Sequence, residues 1–170
     1  MPNIPRMVQT AHVIQERADT VLLRARVHDS GESRVAATLC LTVAEQFAAA
    51  VSLVESGFSS HAPTIVRSML EGLADLLNVT RDPQYVDQIR YDNARSDVIL
   101  FTKYGADPSM QDDDEALEAL ARWNADAEPV RDELKARGFQ KLGVEEKFKK
   151  AGGAAPVAFT QRFYLNQIAA

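Results

Sequence analysis

Charged side chains set into apolar helical stretches are the residues of this chain whose type and spacing could do chemistry. Glu45 stands alone in the run Val35–Val54. Arg67, Glu71 and Asp75 recur every fourth residue, with Asn78 next, so they share one side of a helix. Asp87, Tyr91 and Arg95 share a face further on, flanked by Arg90 and Asp97. One reading has these stripes facing solvent, or pairing as Arg67–Glu71, Arg67–Glu45 or Arg95–Glu71. The other makes Glu45, Arg67, Glu71, Asp75, Tyr91 and Arg95 a polar centre in a cleft between helices 2, 3 and 4. Carboxylates beside two arginines could hold a cation or a phosphate, or move protons.

Other chemistries lack their residues. No Glu-x-x-His occurs, and His12, His28 and His61 have no zinc-motif spacing, so neither metal nor cofactor is expected. No phosphate-binding glycine loop and no Gly-x-Ser-x-Gly elbow is found. Cys40, the one cysteine, reads as an inert core thiol. The acidic run Asp112–Glu115 suits a helix N-terminus and lacks calcium-loop spacing. Lys141, Lys147, Lys149 and Lys150, interleaved with Phe139 and Phe148, could touch a nucleic-acid backbone, although such a run is more often a solvated face.

Helices must position these groups, because apolar residues recur with helical period throughout. Helix 1 is expected over about 5–27 and helix 2 over about 32–56, with Gly57 as its C′ residue. Helix 3 starts near Ser60 and frays at 78–80; Asp82-Pro83 opens helix 4, which Gly105 closes. Asp112 and Glu115 form a capping-box pattern for helix 5, which Pro129 should kink or restart. A short helix follows over 144–150, Gly152-Gly153 forms a joint, and Pro156 opens a last helix through Phe163 and Ile168. The expectation is an all-α, up-and-down bundle of five to six helices around a central helix 2–helix 3 hairpin, one domain over 1–170.

The chain has 170 residues, 46% apolar and 25% charged, with a net charge of −5, as expected of a soluble globular protein without a strongly basic nucleic-acid footprint. Val35–Val54 has the length of a membrane span, but Glu45 in its middle argues for a bundle helix. With no signal-peptide pattern and no possible internal disulfide, a cytoplasmic location is expected. The apolar last helix, without a C-cap, points to a homodimer.

The segment from Ser59 to Gly72, holding Arg67-Ser68-Met69-Leu70-Glu71 and followed by Asp82-Pro83, resembles a widespread bacterial family of helical proteins of unknown function. Its members carry an Arg-Ser-x-x-Glu helix leading to an Asp-Pro turn. Glu146-Lys147-Phe148 and Arg162-Phe163-Tyr164 resemble its closing segments, so the likeness covers roughly 32–168. That family is in turn similar to the HEPN superfamily of up-and-down bundles, many of them dimeric ribonuclease toxins or phage-defence effectors. Their active site is an arginine followed a few residues later by a histidine, late in the bundle. The histidine takes a proton from a ribose 2′-hydroxyl and the arginine stabilises the phosphorane charge. Arg162 stands in that place, but no histidine follows it, and the one Arg-x5-His, Arg6 to His12, lies in helix 1. The resemblance thus implies a non-catalytic interaction or ligand-sensing module, in bacterial stress or phage defence. The alternative is a metal-independent ribonuclease using Arg162, with its histidine absent from this chain or beyond it. A protein partner fits the first reading; RNA is not the favoured partner.

Overall fold

Residues 3–152, apart from Gln111, are described by a computed structural model. Among them are six α-helices, a short 3-10 turn and no strand. The helices are α1 (Ile4–Leu22), α2 (Gly31–Glu55), α3 (Ala62–Arg81), α4 (Tyr85–Gly105), α5 (Asp114–Ala136) and α6 (Val144–Gly152). The all-α expectation holds, and α2 and α3 form its closely packed hairpin. Where the sequence suggests one domain, the backbone groups into two compact units. One runs to Pro83 and resumes at Val144; the other is Gln84–Gly143. The last helix expected from Pro156, with Arg162, lies outside the described residues, as does Gly153 of the proposed joint.

In the first unit α3 packs against α2 and α6, while α1 lies on α2. Half-buried Val8, Ala11, Gln15, Ala18 and Leu22, spaced three and four apart, are the side of α1 that is covered. Its end at Leu22, short of the expected Val27, follows from what comes next: residues 23–28 are all exposed, so no burial repays further helix. Ala74, Phe148 and Ala151 form a small buried cluster between α3 and α6, edged by Leu70, Leu77 and Val144.

Three boundary expectations change. α3 does not fray at Asn78; it continues to Arg81, because Asn78 and Val79 are buried. Asp82 is the C-cap of α3 and not the N-cap of α4, which begins two residues after Pro83. Pro129 does not break α5. The carbonyl it leaves unbonded is that of Ala125, and both residues are exposed, so water can serve the freed group.

The turn out of α2 matches its expectation. Gly57, at φ +80°, sits at C′; its N–H donates to Val54 O, and the Phe58 N–H donates to Leu53 O. α5 ends the same way, with Gly138 at φ +94° donating to Lys135 O and Phe139 to Leu134 O. Both are Schellman closures with an apolar residue just beyond the glycine. α5 is capped one residue later than its sequence pattern suggests: Asp113, not Asp112, accepts from the Ala116 N–H at 2.9 Å.

Candidate functional site

The polar side of α3 carries the strongest sequence pattern. Arg67 Nε donates to Glu71 Oε1 at 3.0 Å, within one helix, the two side chains being 51% and 34% exposed. This is the surface-type pairing among the three that the spacing allowed, and it contributes little stability. Glu45 is exposed on α2. Asp75 is different: its Oδ2 accepts from Lys147 Nζ at 3.1 Å, with side chains only 16% and 19% exposed.

One turn on, Asn78 Nδ2 donates to Lys147 O at 3.0 Å, and Arg81 Nη1 donates to Ala151 O. Asp75, Asn78 and Arg81 therefore hold α6 by the Lys147 ammonium, the Lys147 carbonyl and the Ala151 carbonyl, the last at the C-terminal end where a guanidinium also meets the negative end of the helix dipole. Lys147 was legible only as part of a solvated or nucleic-acid-facing basic run. Its partner lies 72 residues away, a distance no local pattern reports.

Tyr91 and Arg95 belong to the second unit. Tyr91 is buried on the inner face of α4 with Tyr85, Gln88, Ala94 and Val98, and Arg95 is half-buried. Gln88 Nε2 donates to Gln140 O at 2.9 Å. Asp87, in the first turn of α4, accepts from Arg90 at 3.0 Å and from Arg137 at 2.6 Å, which ties the end of α5 to the start of α4. Arg137 also lies over the Phe139 ring, 5.4 Å from its centroid.

Burial works to raise the Asp87 carboxyl, but hydrogen bonds and charge from Arg137 and Arg90 outweigh it and hold it below the usual range. A lowered native pKa contributes stability above the ordinary aspartate value of about 3.9 and loses it as pH falls through the native value. Urea midpoints of the wild type should therefore fall more steeply with acid below about pH 4 than those of Asp87→Asn. Equal slopes would contradict the clamp.

Away from that clamp, α4 and α5 border an open groove of about 650 Å³. α4 contributes Arg90, Asn93, Ala94, Asp97 and Phe101, and α5 contributes Trp123, Asp126, Ala127 and Val130. The Phe101 and Trp123 rings lie 5.7 Å apart at 41°. Sequence reasoning placed Arg90 and Asp97 only as flanking charges and did not single out Trp123. Their shared three- and four-residue spacing on two antiparallel helices was the available signal.

A second groove, about 480 Å³, is lined by Met7, Thr10, Ala11 and Ile14 of α1 and by Phe47 of α2. His12 Nε2 lies 2.8 Å from Glu55 Oε1, so the histidine of the Arg-x5-His pattern is engaged by a carboxylate of α2. Among the described residues no three His, Cys, Asp or Glu side chains converge as a metal site would need.

The model of a family of unknown function, DUF5677, matches residues 33–165. The chain belongs to the DUF5677 family. Residues 33–165 contain all of α2 but its first two residues, the whole of α3 to α6 and the Arg67–Glu71 pattern, whereas α1 precedes the match. No match was found for this DUF5677 chain among curated proteins or among solved structures.

Proposed function

We propose that this DUF5677 protein is a non-catalytic helical interaction module that acts as a homodimer, with the outer apolar column of α1 meeting its copy. The observation that carries this is Met7, Ile14 and Val21, spaced every seventh residue and 61%, 51% and 67% exposed. They run beside the side of α1 that covers α2, as a second apolar seam with heptad spacing. α1 buries none of its own residues, and the very apolar α2 buries only Ala50 and Val51. The groove between Met7, Ile14 and Phe47 offers a hole for a knob from a second copy.

Charge supports a second copy as the occupant. Residues 1–83 and 144–170 hold 11 basic and 11 acidic residues, so two such units meet without net repulsion. α2 has the length and composition to cross a membrane, yet Glu45 stands in it, and the proposal keeps the protein in the cytoplasm without a membrane partner. The likeness to the HEPN superfamily, and with it a place in bacterial stress or phage defence, rests on the sequence resemblance. The ribonuclease reading gains nothing from the fold, since Arg162 lies outside the described residues and His12 is paired with Glu55.

Sedimentation of the full chain across a concentration series tests the proposal. A species of twice the monomer mass is expected. A monomer at every concentration up to the solubility limit would refute it.

A further inference from the structure

The chain's net charge is unevenly placed. Residues 84–143 hold 13 of the 24 acidic residues and 8 of the 19 basic ones, which accounts for the whole −5. This unit attracts cations and repels polyanions. Its groove concentrates the features that recognise an organic cation. Trp123 is 55% exposed and stands at a ring pair with Phe101, although it is a large apolar side chain that burial would favour. Asp97 and Asp126 line the same groove, one from each helix. Among its described lining residues the one cation, Arg90, is tied to Asp87. Indole and phenyl faces attract ammonium and guanidinium groups and pack against their methylene stems, while carboxylates pair with the charged heads.

The groove is open along its length and bordered by two antiparallel helices, each contributing residues three and four apart. That shape suits a third helix laid along it better than a small molecule enclosed in it. We propose that the α4–α5 groove binds a basic amphipathic helical segment of a partner protein, with a lysine or arginine stem over Trp123 and its charge between Asp97 and Asp126. This site is separate from the α1 column and goes beyond self-association.

Trp123 is the only tryptophan in the chain, so its fluorescence reports on this groove alone. The full-length protein would be titrated with an amphipathic Leu/Lys helical peptide, the same peptide with Glu for Lys, and free spermidine. The Leu/Lys peptide should shift Trp123 emission saturably. Asp97→Asn and Asp126→Asn, with circular dichroism confirming the fold, should each weaken binding about three- to tenfold. Added salt should weaken it further. No emission change, equal binding of the Glu peptide, or unchanged affinity in both Asn variants would overturn the proposal. Spermidine binding as well as the peptide would overturn the helical partner in favour of a free polyamine. An emission shift that follows protein concentration without any peptide would make the occupant a second copy, and would overturn it equally.

Discussion

Phe148→Ala is expected to lower the free energy of unfolding by about 3–5 kcal/mol, read as a fall in the urea midpoint. Phe148 is 4% exposed and is the one large side chain in the buried cluster, against Ala74 and Ala151. Those two alanines let α6 approach α3 closely and are too small to fill the space a truncated ring would leave, which Leu70, Leu77 and Val144 only edge. The polar clamp depends on the same contact. The Asp75–Lys147 pair and the bonds from Asn78 and Arg81 to α6 carbonyls gain strength from partial exclusion of water, which the ring provides. Hydrogen exchange should accordingly accelerate across 144–152 in the variant. A loss below about 1 kcal/mol with unchanged exchange would mean that α6 is not held by this cluster.

Ile14→Glu is expected to abolish the homodimer while leaving the isolated protomer nearly as stable as before. Ile14 is exposed in the protomer, so a carboxylate there stays hydrated until two copies meet. In a two-fold interface each substitution is counted twice, and two carboxylates would lose water without a partner. A weakening of at least about a hundredfold follows from the several kcal/mol that such burial costs. Sedimentation should return a monomer, with a melting temperature within a degree or two of the wild-type protomer. Gln9→Glu, on the exposed side of α1 away from both the apolar column and the stripe that covers α2, should remain a dimer. Dimerisation of Ile14→Glu at wild-type strength would move the interface elsewhere.

Across the described residues helix existence was legible because apolar spacing is a local signal, and the α2–α3 hairpin followed from two adjacent apolar helices and Gly57. The site was less legible. Arg67–Glu71 is an i, i+4 pair that spacing alone reveals, whereas Asp75–Lys147 joins residues far apart in sequence. Asn78 read as a fraying residue because asparagine is a poor helix former, yet a carbonyl of α6 satisfies it. Tyr91 shares a helical face with charged neighbours in projection, but its ring turns to the inner face of α4. That α5 runs on through Pro129 without a restart was not legible, because exposure, which decides whether a lost helical bond is costly, is not written in the sequence. The heptad column on α1 was present in the residues but lay beside another stripe that satisfied the helical pattern equally well.

Cross-linking through α1 tests self-association most directly. Cys40 is the only cysteine, so Ile14→Cys in a Cys40→Ser background carries one thiol at the middle of the column. The middle residue meets its own copy whether the two helices run parallel or antiparallel. The account predicts rapid disulfide-linked dimer under mild oxidation for Ile14→Cys and not for Gln9→Cys, on the opposite side of α1, in the same background. Equal, slow cross-linking at both positions, from a protein that sediments as a monomer, would contradict it.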